Sequence, residues 1–126
     1  MDTQAVGSQM EEAAAHFLRA AGLKIIERNF SSRYGEIDLI AKDGDVLVFV
    51  EVRFRRNNRF GGAGVTVDWR KQSKLRATAS NYLQYRRLDC PCRFDVVAIE
   101  YTGQHSTPMQ GAAPLHIEWI KNAFGQ

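Results

Sequence analysis

Residues 35–56 read GEIDLIAKDGDVLVFVEVRFRR, and this stretch decides the fold. Two runs of alternating apolar residues flank Asp43-Gly44, a dipeptide that suits the positive φ angles of a two-residue turn. The pattern predicts a β-hairpin with Asp43 and Gly44 as its loop. In that register the facing pairs on one side are all apolar. They are Ile37 with Val50, Leu39 with Val48, and Ala41 with Val46.

Acidic residues gather at one end of the opposite side of this hairpin. The same register places Glu36 across from Glu51 and Asp38 across from Phe49. Like charges that face each other across strands repel, so something must compensate them. One compensation is a divalent cation, Mg²⁺ or Mn²⁺, because both prefer carboxylate oxygens. The alternative is that Asp38 and Glu51 pair with nearby arginines, and the spacing alone leaves both interpretations open.

A first helix is predicted from Ser8 to Ala21, where apolar residues recur at helical spacing. Glu11 lies seven residues before Leu18, almost two helical turns, and therefore points in nearly the same direction as this core residue. If the helix packs on the acidic side of the hairpin, Glu11 reaches the same cation. A salt bridge to an arginine would satisfy its carboxylate equally well.

The other segments predict further strands and one more helix. Leu23–Phe30 has a strand pattern, and a helix from about Trp69 to Arg87 precedes a strand at Arg93–Glu100. That last strand is expected to run parallel to part of the hairpin, because a crossover helix between two strands normally makes a right-handed βαβ unit. Residues 102–114 are expected to form a loop, and Leu115–Ile120 an edge strand with a short polar tail. The sequence thus predicts an α/β fold with a mixed central β-sheet flanked by helices, in the order αβββαββ.

The composition is that of an ordinary globular protein. The 126 residues, 44% hydrophobic and 25% charged, predict one domain over positions 1–126. The first twenty residues carry acids and lack a continuous apolar run, so the protein is expected to be cytoplasmic and without a membrane segment. Cys90 and Cys92 flank a proline too closely for an unstrained disulfide, which predicts reduced thiols with structural roles.

Positive charge is concentrated in one segment, although the net charge of the chain is only +3. Between positions 53 and 76, eight basic residues stand against the single acid Asp68. They are Arg53, Arg55, Arg56, Arg59, Arg70, Lys71, Lys74 and Arg76. Such a segment suits a phosphate-binding surface, because each neutralised phosphate releases counterions. A solvated basic loop is the alternative.

Several motifs together resemble the YraN family of small bacterial proteins. They are GEIDLIA at 35–41, VFVEVRFRR at 48–56, FGG at 60–62, KQSKL at 71–75 and RFDVV at 93–97. The resemblance extends from the first helix to Ile120 and implies the restriction-endonuclease-like fold of the PD-(D/E)xK nucleases. That superfamily has an aspartate on one strand, an acid-x-lysine motif on the next, and often a glutamate from the preceding helix. The matching positions in this chain are Asp38, Glu51 and Glu11.

The resemblance implies metal-dependent hydrolysis of phosphodiester bonds in DNA or, as the second choice, RNA. The implied ligands of Mg²⁺ or Mn²⁺ are the carboxylates of Asp38, Glu51 and Glu11 and the carbonyl of Val52. The chain departs from the superfamily at Arg53, which stands where lysine is usual and, being always protonated, cannot act as a base. Arg53 can still hold a phosphate, and Lys71 or Lys74 on the following helix can supply an amine.

Nucleic-acid binding, with selection of structure rather than sequence, is the expected partner interaction. The residues expected to position the nucleic-acid backbone are Arg55, Arg56, Arg59, Lys71 and Lys74. Phe54 and Phe60 could stack on unpaired bases, unless Phe54 lies in the core. Two other functions stay open: a non-catalytic nucleic-acid-binding module disabled by Arg53, and a scaffold of a repair or replication complex whose arginines grip an acidic protein. A homodimer is plausible, because cutting two strands often takes two sites.

Overall fold

The computed structural model describes the backbone of residues 3–55, 68–101 and 115–124, and within these ranges the side chains of 7–54, 68–100 and 115–124. Its elements are α1 (Thr3–Ala20), β1 (Lys24–Ser32), β2 (Gly35–Asp43), β3 (Val46–Arg55), α2 (Trp69–Arg86), β4 (Cys92–Tyr101) and β5 (Leu115–Phe124). This order confirms the predicted αβββαββ arrangement and agrees with the restriction-endonuclease-like α/β core. Neither of the two described helices is long and apolar enough to cross a membrane.

One five-stranded sheet runs through the described ranges in the order β1-β2-β3-β4-β5. β3 and β4 are parallel, as the crossover through α2 predicts, and the other neighbouring pairs are antiparallel. β5 is the predicted edge strand, but it continues to Phe124 where the sequence predicts a polar tail. The buried Phe124 ring stacks on Phe94 at a centroid distance of 4.8 Å, and burial of this ring favours the longer strand.

The turn of the β2–β3 hairpin lies one position later than the sequence pattern predicts. Asp43 pairs with Val46, so the loop is Gly44-Asp45 and the facing pairs shift by two residues. Gly44 has a φ of +61° and comes first in the loop, which is where a type II′ turn places its glycine. Arg93 Nη1 lies 2.9 Å from Asp43 Oδ2, and this ion pair helps to keep Asp43 in the strand.

The register shift changes which acidic residues meet. Asp38 comes next to Glu51, so the two carboxyls lie close together. Glu36 instead lies beside β1, where Ser31 Oγ donates a 3.2 Å hydrogen bond to its Oε2. The predicted pairings of Glu36 with Glu51 and of Asp38 with Phe49 are therefore wrong, because both rested on the loop at Asp43-Gly44.

Two helices cover opposite faces of the sheet, each over its own core. The hairpin residues on the α1 face are Leu39, Ala41, Val48 and Val50, and those on the α2 face are Ile37, Ile40, Leu47 and Phe49. Ile37 thus lies on the face opposite to Leu39, contrary to the prediction, because the alternation breaks at Asp38. The β2–β3 ladder begins only at Leu39, and the side chain of Asp38 accepts a 2.8 Å hydrogen bond from Val52 N in place of a backbone carbonyl.

Several elements begin or end at one end of the sheet, which we call the site end. β3 and β4 end there and β2 begins there, and α2 also begins there because a crossover helix must run back to the start of the next parallel strand. Asp68 caps α2, accepting a 2.9 Å hydrogen bond from Lys71 N on its Oδ1. The buried residues of α2 are Leu75, Thr78, Ala79 and Tyr82. Lys71, one turn before Leu75, therefore lies on the sheet-facing side of the first turn.

Removing one buried side chain from α1 tests the packing of this helix on the sheet. Leu18 is fully buried in the α1-side core, so Leu18→Ala should lower the free energy of unfolding by about 2–5 kcal/mol. Urea unfolding measures the change. His16→Ala, at an exposed position of the same helix, is the control and should change the free energy by no more than about 0.5 kcal/mol. Equal losses in the two variants would contradict the observed packing of α1.

Candidate functional site

Two carboxyl groups from adjacent strands meet at the site end. Glu51, on β3, is buried with 7% of its surface exposed, and its carboxyl lies beside that of Asp38 on β2. Burial, reinforced by the charge of Glu51, raises the pKa of Asp38 to about 7. Two carboxyls this close in a buried place repel when both are ionised, so the acidic pair is short of positive charge that an added cation would supply.

Two basic side chains approach the acidic pair without a close hydrogen bond to it. Arg53 Nε and Lys71 Nζ each lie 3.5 Å from Glu51 Oε2, a distance longer than an ordinary hydrogen bond. Arg53 Nε is also buried without a hydrogen-bond partner in the described ranges. The prediction that arginines pair with the acids is confirmed for Glu51, which has Arg53 at 3.5 Å. Within the same ranges the structure gives Asp38 no ion pair.

Lys71 supplies an amine beside Glu51, close to the place where the superfamily has its strand lysine. It reaches the acid from α2, and the cap at Asp68 fixes the backbone of its turn. Lys74 is exposed, and its Cβ lies near the backbone of Gly35 at the β1–β2 turn. The sequence offers both lysines as substitutes for the missing one, and the structure brings only Lys71 to the acidic pair.

Glu11 lies near the acidic pair but on the other side of the sheet from Glu51. α1 packs on the face of Leu39 and not on the acidic side of the hairpin, which was the condition for Glu11 to reach the same cation. Burial raises the pKa of Glu11, and the charges of Asp38 and Glu36 raise it further, while a hydrogen bond with the Asn29 side chain opposes them. The described ranges contain no group of three or more acidic, histidine or cysteine side chains placed to hold a metal. The candidate centre is thus a pair of carboxyls, and a role for Glu11 stays a prediction.

Val52 lies in contact with the acidic pair through its backbone. Its N–H donates to Asp38 Oδ2 at 2.8 Å. In an extended strand the N–H and C=O of one residue point toward the same neighbouring strand, so the Val52 carbonyl also points to the β2 side. This direction is compatible with the predicted ligand role of the carbonyl.

The predicted nucleic-acid-binding residues divide into two groups. Lys71 and Lys74 lie on the first two turns of α2 at the site end, and Arg55 is the last residue of β3, where its backbone pairs with Glu100. Arg56, Arg59 and Phe60 lie outside the described residues. Phe54 is partly buried against the α1-side core, which favours a structural role for its ring over stacking on a base.

The two cysteines are free thiols, as the sequence predicts. Cys92 Sγ donates a 3.3 Å hydrogen bond to the Cys90 carbonyl. Burial raises the pKa of the Cys92 thiol to about 11, so almost none of it is thiolate at neutral pH. Nucleophilic chemistry at Cys92 is therefore not supported.

Another buried carboxylate, Asp95, shows what a structural acid looks like in this fold. It lies on β4 opposite Val50, and sequence reasoning did not single it out. Its oxygens accept hydrogen bonds from Arg93 Nε at 3.0 Å, Trp119 Nε1 at 2.9 Å and Asn122 N at 2.8 Å. Asp38 has one backbone donor and another carboxyl where Asp95 has three donors. The fold thus gives Asp95 the hydrogen-bond donors that a buried carboxylate needs, whereas it leaves Asp38 short of positive charge.

Sequence reasoning also missed two exposed aromatic side chains at the site end, Trp69 and Tyr34. Trp69, the first residue of α2, has 70% of its surface exposed, and Tyr34, in the β1–β2 turn, has 39%. A signal for Trp69 was present, because it falls outside the series at 71, 75, 78 and 82 that faces the sheet.

Comparison with known proteins places these residues in a wider group. The profile of a family described as "Uncharacterised protein family UPF0102" matches residues 10–99. A UPF0102 protein of Nitrosomonas europaea is 45% identical over 120 residues, which is 95% of this chain and 93% of the relative. UPF0102 proteins of Pseudomonas syringae pv. syringae and Stutzerimonas stutzeri are 47% and 46% identical, over 96% and 98% of this chain and 94% and 97% of their own. The matched region includes Asp38, Glu51, Arg53 and Lys71.

The raised pKa of Asp38 predicts a specific pH dependence of stability in the metal-free protein. The pKa of Asp38 is about 7 in the folded state and near 4 when unfolded, so its stabilising contribution is complete below pH 4 and is lost as the pH rises through about 7. Asp38→Asn keeps an acceptor for Val52 N and removes the charge. In EDTA, this variant should gain at least about 1 kcal/mol over the wild type at pH 8 relative to pH 4.5. Urea unfolding at the two pH values tests this, and an equal difference at both would contradict it.

Proposed function

We propose that this chain, which belongs to the UPF0102 family, is a metal-dependent nuclease that hydrolyses phosphodiester bonds in DNA. The family match agrees with the YraN resemblance of the motifs. One observation carries the proposal: two carboxyls on adjacent strands meet at the site end, with the Lys71 amine 3.5 Å from one of them. This is the donor set of a PD-(D/E)xK site, with the amine contributed by a helix.

The acidic pair fits a divalent cation. Asp38 and Glu51 offer only oxygen donors, which suits Mg²⁺ or Mn²⁺ better than zinc. The raised pKa of Asp38 marks a deficit of positive charge that the two cations near Glu51 leave in place. Asp38, Glu51 and the Val52 carbonyl would hold the ion, with Glu11 nearby on α1. When bound, such an ion activates water and polarises a phosphate oxygen.

Arg53 and Lys71 are suited to bind the phosphate. Arg53 has a buried N–H donor with no hydrogen-bond partner in the described ranges, and a phosphate oxygen would satisfy it. Lys71 is 41% exposed at its side chain and lies beside the acid, so its ammonium can move to a phosphate that enters from solvent. Because Arg53 stays protonated, its role is to hold negative charge and not to accept a proton.

DNA is the proposed substrate, with selection by structure and not by base sequence. Three basic residues of the described ranges lie at the site end: Arg53, Lys71 and Lys74. Their side chains contact phosphates more readily than base edges. The second candidate function is a non-catalytic nucleic-acid-binding module. Arg53 at the position of the usual lysine favours it, and the amine of Lys71 beside Glu51 favours the nuclease.

Metal binding and cleavage test the acidic pair. Saturating Mn²⁺ should raise the Tm of the wild type by about 5 °C, because the ion binds only the folded site. Asp38→Asn and Glu51→Gln should lose this shift and should lose Mg²⁺- or Mn²⁺-dependent cleavage of a panel of single-stranded, duplex, flapped and four-way-junction DNA. Asp45→Asn makes the same charge change in the exposed hairpin loop, at the end of β2 and β3 remote from the site, and should behave as the wild type.

Three results would count against this proposal. A Tm shift that survives in both site variants would place the metal elsewhere. Cleavage that both variants retain would exclude the acidic pair from catalysis. Salt-dependent DNA binding with no cleavage in either metal would support the non-catalytic module instead.

The two lysines of α2 provide a matched test of the amine. Lys71→Met should lower kcat/KM for DNA cleavage by about 100-fold, because it removes the cation beside Glu51. Lys74→Met makes the same change one turn further along α2, at an exposed position, and should lower kcat/KM only a few-fold through weaker phosphate binding. Steady-state kinetics on the best substrate of the panel distinguish the two. Equal losses would show that proximity to Glu51 is irrelevant.

A further inference from the structure

Trp69 is the most exposed large hydrophobic side chain in the described ranges, with 70% of its surface open to solvent. The guanidinium of the neighbouring Arg70 lies 6.0 Å from the centroid of this ring. A tryptophan brings a large apolar surface whose burial is favourable, and the core does not use most of this one. The exposed ring is available to a ligand.

The position of Trp69 ties it to the acidic pair. It opens α2, and Lys71, two residues further along, has its Nζ 3.5 Å from Glu51 Oε2. The hydrogen bond from Lys71 N to the cap residue Asp68 spans Trp69 and fixes this turn. Since one helical turn rises only about 5.4 Å, the ring projects from the same turn that contacts the site.

A second exposed aromatic side chain with a neighbouring arginine lies in the β1–β2 turn. Tyr34 is 39% exposed in the β1–β2 turn, with the Arg33 guanidinium 5.0 Å from its ring centroid. This turn approaches α2 closely, because a Cβ built on Gly35 would lie 3.5 Å from Thr78 Oγ1 and 3.8 Å from Lys74 Cβ. Exposed rings with adjacent cations therefore stand at two places at the site end, in the β1–β2 turn and at the start of α2.

We propose that Trp69 is a stacking platform for an unpaired nucleobase of the strand whose phosphate lies at the acidic pair. This inference rests on the proposed nucleic-acid function and names its substrate class. An aromatic ring stacks on a base only where a face of that base is free, and within a continuous duplex both faces are covered by neighbouring base pairs. Substrates are therefore strands with unpaired nucleotides next to the target phosphodiester, as in single strands, flaps and junctions. Arg33, Arg70 and Lys74 supply charge for the flanking phosphates.

Tyr85 provides a matched control for Trp69. It is 68% exposed on the same helix and also lies next to an arginine, with the Arg86 guanidinium 5.2 Å from its ring centroid. Sixteen residues of helix separate it from Trp69, which places it about 24 Å away at the opposite end of α2. Its ring is moreover partly covered by Phe30, at a centroid distance of 6.3 Å. If any exposed aromatic residue beside an arginine aided binding, Tyr85 would do so as well.

Binding in EDTA tests the proposal without cleavage. A labelled oligodeoxynucleotide is titrated with wild type, Trp69→Ala, Trp69→Phe and Tyr85→Ala, once as a single strand and once paired with its complement, and fluorescence anisotropy is recorded. Trp69→Ala should weaken single-strand binding at least about tenfold and change duplex binding no more than about twofold. Trp69→Phe should restore most of the affinity, and Tyr85→Ala should match the wild type on both ligands.

Tryptophan emission gives a second measurement that does not depend on Trp69→Ala folding well. The emission of the wild type minus that of Trp69→Phe isolates Trp69 from Trp119, and stacking on a base should quench it. The single strand should quench this difference signal strongly, and the duplex should do so only weakly at equal occupancy. Circular dichroism of each variant checks the fold.

The results separate this inference from the proposed function. Single-strand affinity or quenching that is the same with and without Trp69 overturns the stacking platform, even if metal-dependent cleavage is found. Equal losses on single strand and duplex, or equal quenching by both, also overturn it, as does a matching loss in Tyr85→Ala. Failure to bind either oligonucleotide overturns the stacking platform, and the cleavage assay then decides on the nuclease by itself. Trp69-dependent single-strand binding without cleavage in any metal supports the platform and overturns the nuclease.

Discussion

The close approach of the carboxyls of Asp38 and Glu51 is the constraint on which the site end depends. It arises because the hairpin loop lies at Gly44-Asp45, which brings these two residues together, and because Val52 N holds Asp38 in place. Two buried acids this close are stable only if one is protonated or if positive charge is added. Arg53 and Lys71 supply charge to Glu51 only at 3.5 Å, so within the described ranges no close ion pair removes this electrostatic deficit.

Comparison with Asp95 shows that not every buried acid in the described ranges has such a deficit. Asp95 is as buried as an acid can be, with 1% of its surface exposed, yet three donors satisfy it. The same sequence thus contains an acid that stabilises the junction of β4 and β5 and another that destabilises its surroundings at neutral pH. Natural folds retain strain of the second kind mainly where binding or catalysis uses it.

The sequence was sufficient for the element order, the parallel β3–β4 pair and the hairpin that bears the acids, because these follow from local periodicity and from the handedness of crossovers. It was insufficient where a contact between residues far apart in the chain determines the local structure. The loop at Gly44-Asp45 is stabilised by the ion pair of Asp43 with Arg93, and β5 is extended by the stacking of Phe124 on Phe94. The start of α2 at Trp69 was predicted, but the choice of Lys71 over Lys74 depends on how α2 packs against β3, which is a contact between distant segments.

The amine of the candidate site comes from a different segment of the chain than its acids. The chemistry of the site therefore does not depend on one continuous sequence motif. In the superfamily pattern, acid and lysine stand two positions apart on one strand, so a string of residues identifies the site. Here Glu51 and Lys71 are far apart along the chain and 3.5 Å apart in space. In a site of this kind the lysine can stand on a helix in place of a strand while the distribution of charge around the acids stays the same. Pattern searches for acid-x-lysine would discard such proteins as degenerate, whereas a search for paired carboxyls with an ammonium from any element would retrieve them.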